Sequence, residues 1–192
     1  MRALLFIFAM LLMLLLSGCS DLLSVQPLAT AETAVFDAGL IGEWLCTESG
    51  PGPSGKSLQG VALIRAGSAQ KTDYDIVWIP GEGGALRLKG QLVKVGDRQV
   101  FDLIAVQETT LAIPGHFFML VEKTEDGVKF YWLDSNWLRD QVISKSGLAH
   151  AMVDDKPVIT AGSAQISAFL AKFGLDAQAA SASMVFKPVN GR

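Results

Sequence analysis

The chain is poor in the residues that build covalent or metal frameworks, with two cysteines and two histidines in 192 residues. Disulfide-stapled domains are dense in cysteine and a structural zinc site takes four converging ligands. Neither a disulfide framework nor a metal centre is therefore expected. Charged residues make up only 18 % of the chain and the basic ones do not cluster. Nucleic acid demands a concentrated cationic footprint, so none is expected as a partner. No apolar run reaches the roughly 20 residues that span a bilayer as a helix. The Gly-x-Ser-x-Gly elbow of an activated serine is missing, as are internal repeats, and nothing calls for a cofactor.

What is present begins with Met1-Arg2 followed by an unbroken apolar stretch from Ala3 to Leu16. One positive charge, an apolar run too short to span and small residues behind it form the pattern of a secretory signal. The next residues, Leu16-Ser17-Gly18-Cys19, resemble the lipobox of bacterial lipoproteins. The resemblance implies diacylation of the Cys19 thiol, cleavage before it and acylation of the new amino terminus. Two or three acyl chains anchor stably, because one alone is marginal. In the lipoprotein sorting pattern an aspartate directly after the cysteine retains the protein in the inner membrane. Here Ser20 holds that position and Asp21 follows, which implies the outer membrane, facing the periplasm.

Removing residues 1–18 takes Arg2 with them and leaves 15 basic residues against 19 acidic, a net charge of −4 in place of −3. The mean hydropathy of +0.35 therefore overstates how apolar the mature chain is. Residues 19–38 lack a sustained period and read as a lipidated tether. From about residue 39 to 192 the chain reads as one domain. With Cys19 lipidated, Cys46 reads as a buried apolar thiol behind Trp44 and Leu45.

Short alternating segments separated by Gly, Asp and Pro are the signature of an antiparallel β protein. Leu86, Leu88, Gly90 and Leu92 alternate with Arg87, Lys89, Gln91 and Val93, and Tyr74, Ile76 and Trp78 alternate with Asp73, Asp75 and Val77. Strands are expected over 42–47, 58–65, 72–79, 85–95, 98–104, 116–122, 128–133 and 182–189. Gly83-Gly84, Gly96-Asp97 and Asp126-Gly127 mark turns, the last two as hairpins in which glycine takes a positive φ. Ile166, Phe169, Leu170 and Phe173 form one stripe of a helix capped by Thr160 or Ser163 and ended by Gly174, set to pack on a sheet or barrel wall. A weaker helix is expected over 135–143.

So many consecutive strands would leave an exposed edge unless the sheet closed, and an up-and-down barrel is the simplest closure. Gly42-Glu43-Trp44 at the start of the first strand resembles the Gly-x-Trp motif of lipocalins. The resemblance implies a mainly β, antiparallel up-and-down barrel with one C-terminal helix before a final strand. It also implies that Trp44 plugs the closed end.

The stretch Gly50-Pro51-Gly52-Pro53-Ser54-Gly55-Lys56-Ser57 matches the phosphate-binding pattern G-x-x-x-x-G-K-[ST] letter for letter. A strand rather than a helix is expected after it and parallel βα units are lacking, so it reads as a loop. Among the acids, Asp102 is expected to point outward between inward-facing Phe101 and Leu103, and Asp134 to cap a helix. His116 and His150 read as strand-end residues. Asp140 completes the acids considered for paired-carboxylate chemistry. The aromatics carry the functional expectation: Tyr74, Trp78, Phe101 and Trp132 either line a cavity, since a small barrel can enclose one ligand, or fill a dry core, because inward-facing residues read the same whether or not a void remains. The chain is read as a non-catalytic protein that binds a small apolar or lipidic molecule. The alternatives are an interaction subunit docking another envelope protein and, third, a hydrolase.

Overall fold

In the computed structural model, which describes residues 23–49, 59–81, 83–106, 115–133, 140–141, 147–153, 156–174 and 180–189, eight antiparallel strands close into a barrel. They are β3 (Gly42–Ser49), β4 (Gly60–Ala66), β5 (Asp73–Pro80), β6 (Leu86–Val95), β7 (Arg98–Ala105), β8 (His116–Thr124), β9 (Gly127–Leu133) and β12 (Ala180–Pro188). Each pairs with the next along the chain, and β12 inserts between β9 and β3 to complete the ring. This is the expected up-and-down order, and every one of the eight strands lies where the alternation placed it.

The interior follows from period two. Trp44 and Cys46, Ile64, Tyr74 and Ile76, Leu88 and Leu92, Phe101 and Leu103, and Phe130 and Phe186 all turn inward and are buried. Two turns explain two glycines differently. Gly96 has φ of 61°, the left-handed conformation that a tight turn asks of glycine. Gly127 was expected to do the same, but it does not. A Cβ there would collide with the Phe186 carbonyl oxygen, so the residue is glycine because β12 passes close by.

A second layer covers one side of the barrel. It contains β1 (Leu23–Ser24), β10 (His150–Val153), β11 (Lys156–Ile159) and helix α1 (Ser163–Phe169), which continues as a wider turn over Leu170–Gly174. A helix this short is not stable alone in water. Ile166, Phe169 and Leu170 hold it by packing with Val95, Val100, Phe118 and Leu120 on the outer face of β6–β8. Neither Thr160 nor Ser163 caps it. The N-cap is Gly162, and Ser163 instead donates its hydroxyl to the Pro27 carbonyl at 2.6 Å.

From Leu23 onward the segment expected to be a tether is part of the domain. β1 pairs with β8 and β11, Leu28 and Ala29 are buried, and β2 (Ala34–Val35) extends the sheet on β6. Residues 36–41 then close the barrel floor. Phe36 stacks on Tyr74 at 5.2 Å, and a 3-10 turn over Ala38–Leu40 drives fully buried Leu40 into the lumen. The signal, Cys19, the phosphate-loop-like stretch 50–57, Asp134 and most of the expected helix 135–143 lie outside the described residues.

Candidate functional site: an apolar cavity at the open end of the barrel

Strands β5, β7 and β9 finish, and β6 and β8 begin, at the end of the barrel opposite Leu40. There the interior is not filled. A cavity of about 270 Å³ is lined by apolar side chains alone, among them Ala62, Trp78, Leu86, Phe101, Phe117 and Trp132. Phe117 stacks on Trp132 at 6.2 Å and Trp78 meets Phe186 edge-on at 5.6 Å, so the walls are aromatic and braced. The buried indole N–H of Trp132 has no hydrogen-bond partner among the described residues. Such a donor costs on the order of 1–3 kcal/mol.

Three of the four expected cavity residues, Trp78, Phe101 and Trp132, line this space. Tyr74 does not. It is fully buried beneath the cavity, packed edge-on against Phe101 at 5.2 Å, and its hydroxyl accepts from the Asp37 amide at 2.6 Å. Burial pushes its phenol above the usual range. Tyr74 thus fastens the floor to the barrel. Trp44 stands at the same closed end, 7 % exposed, with its indole N–H donating to the Leu40 carbonyl at 3.0 Å. That is the geometry of a plug.

A second concavity opens outside the closed end beside Trp44, Lys123 and Lys187. Its two lysines are already engaged, Lys123 with Asp37 and Lys187 with Asp126. It offers an anion little uncommitted charge.

Asp102 faces outward, as expected, but not into solvent. It points away from the lumen, as its alternation with Phe101 and Leu103 requires, yet it is 4 % exposed. The segment after β1 covers it. One carboxyl oxygen accepts from the Leu28 and Ala29 amides at 2.7 and 3.0 Å, and the other lies 2.7 Å from His116 Nδ1. An oriented Asp–His pair is two-thirds of a hydrolytic triad. The hydroxyl nearest in register is Ser24, opposite His116, but Ser24 is fully buried and its hydroxyl donates to the Gln26 carbonyl at 2.7 Å. The Asp102–His116 pair therefore serves as a latch for the covering segment. His150 bonds the Leu148 carbonyl at 2.8 Å, and Asp140 is exposed. Among the described residues no three His, Cys, Asp or Glu side chains converge as a metal site would require.

Cys46 faces the lumen, 6 % exposed, and burial pushes its thiol above the usual range. Only thiolate is nucleophilic, so the native protein should resist iodoacetamide at pH 8 while the urea-unfolded chain reacts. Mass spectrometry of the alkylated protein reads this directly. Rapid native modification would mean that the lumen admits reagent as far as Cys46.

No family model, curated protein or solved structure matches the chain.

Proposed function

We propose that the chain is a lipid-anchored envelope protein, tethered through Cys19 to the outer membrane on its periplasmic side, whose barrel binds a small apolar or lipidic ligand without catalysing a reaction. The observation that carries this reading is the cavity: about 270 Å³, walled by apolar and aromatic side chains. Its volume falls just below the roughly 300–1,000 Å³ of pockets that enclose drug-sized ligands. The ligand is accordingly a slim molecule or one end of a single acyl chain, rather than a whole phospholipid. An acyl carbonyl or carboxyl oxygen that reached the Trp132 indole would pair its buried donor.

The test is mass spectrometry of the full chain gently purified from envelopes. The expected mature protein begins at Cys19 and carries acyl chains, with a stoichiometric acyl lipid released on denaturation. Cys19→Ser is expected to keep residues 1–18 and to carry no acyl group. A wild-type protein without acylation would remove the anchor. Anchored protein that yields no lipid and shows no thermal shift with fatty acids would instead favour docking of another envelope protein.

A further inference from the structure

Polar groups buried inside the barrel meet different fates. At the closed end the Trp44 indole donates to the Leu40 carbonyl, and the Tyr74 hydroxyl accepts from the Asp37 amide. In the cavity wall the Trp132 indole N–H is also buried, yet it has no acceptor among the described residues. Packing does not account for an indole there. Trp132 stacks on Phe117 and faces Met119 in register on β8. A phenylalanine ring would make both contacts without stranding a donor, whose burial unpaired is unfavourable.

The chemistry of that single donor limits what can pair with it. A water molecule is held by two to four polar partners, and the cavity wall, apolar among the described residues but for this N–H, supplies one. An alcohol accepts from the indole but brings an O–H that is then itself unpaired. A carboxylate accepts too, but one neutral N–H does not offset the burial of a full charge. A neutral carbonyl oxygen takes the N–H and adds neither donor nor charge. We infer that Trp132 is the specificity-determining residue of the cavity, donating its Nε1–H to the carbonyl oxygen of a neutral acyl ester. Trp132 is next to last in β9, and Phe130, two residues or about 7 Å deeper, lines the same cavity, so the hydrocarbon chain runs inward past Phe130. This rests on the acyl-binding reading and narrows it from lipidic molecules in general to acyl esters.

The probes are methyl laurate, dodecane, dodecanol and laurate, titrated calorimetrically at neutral pH into the full lipidated protein in phospholipid nanodiscs. Partition of a probe into lipid is common to wild type and variant and cancels in their ratio. Trp132→Phe keeps a ring stacked on Phe117 and removes the donor. It is expected to weaken methyl laurate by at least about tenfold, the loss of one buried hydrogen bond, while dodecane changes by less than about twofold. In wild type, methyl laurate should bind several-fold more tightly than dodecanol or laurate. A second readout needs no variant. The Trp132 indole proton resonance, assigned through its Overhauser contacts to Phe117, should move downfield with methyl laurate and hold its position with dodecane. Equal weakening of ester and alkane in Trp132→Phe, weakening of neither, or an unmoved indole proton in ester-bound wild type overturns the inference while the acyl-binding reading stands. Wild type that prefers dodecanol or laurate to the ester overturns it in the same way. Failure of every probe to bind wild type removes both readings.

Discussion

Asp102→Ala is expected to lower stability by about 4 kcal/mol, since each buried amide left without its acceptor costs on the order of 1–3 kcal/mol. For a domain of this size each kcal/mol moves the melting temperature by roughly 2–4 °C, so calorimetry should record a fall of about 8–16 °C. The carboxyl group is buried and satisfies three donors or partners at once, the amides of Leu28 and Ala29 and the ring of His116. Asp102→Asn separates the latch from general packing. Its single oxygen can still accept from both amides while its amide group turns to His116, so the loss should be well under half that of alanine. His116→Ala removes one partner of the same carboxyl and should cost less than Asp102→Ala. Proteolysis reports the same event locally: cleavage within 23–36 should accelerate in Asp102→Ala before the barrel itself is cut. Equal stability of Asp102→Ala and wild type would show that the covering segment is held by its apolar contacts alone.

This latch also shows what the sequence conceals. The barrel was legible because its strands obey one simple rule, lumen-facing side chains at every second position, and turns with Gly and Asp separate them. Two-sided burial breaks that rule. In β7 and β8, Val100 and Phe118 face outward yet are as buried as Phe101 and Met119, because the second layer covers them. The runs Val100-Phe101-Asp102-Leu103 and Phe117-Phe118-Met119-Leu120-Val121 carry the signature of strands covered on both faces. Read that way, they would have pointed to an outer layer and to a buried role for Asp102. The layer itself comes from pieces with weak local signals. β1 and β2 are two residues each and β10 and β11 four, lengths at which no period can be counted. Tyr74 was misplaced for a related reason: alternation reports which residues face the lumen but not how far along the axis each sits. Depth depends on strand stagger and on the floor formed by residues 36–41.

Depth also sets the contrast that decides whether the cavity is used. Ala62 lines it, opposite Trp78 in register and with Trp44 on its other flank, so a larger residue at 62 grows into the empty space. Ala62→Phe is expected to weaken binding of a long-chain fatty acid by at least tenfold, read by quenching of tryptophan emission with a brominated chain. The same change should leave the melting temperature of the unliganded protein within a few degrees, because overpacking penalties of roughly 1–3 kcal/mol apply to filled cores rather than to open volume. Trp44→Ala is the opposite case. It removes a plug hydrogen-bonded to Leu40 beneath the cavity, and loss of a buried tryptophan costs on the order of 3–5 kcal/mol. Its affinity for fatty acid, compared at a temperature where both proteins are native, should change far less than its stability. In wild type, ligand at a hundredfold excess over Kd should add about 2.7 kcal/mol and raise the melting temperature accordingly. At the same ligand concentration that rise should fall to about half or less in Ala62→Phe and persist in Trp44→Ala. If Ala62→Phe bound fatty acid as tightly as wild type, the ligand would have to sit outside the barrel.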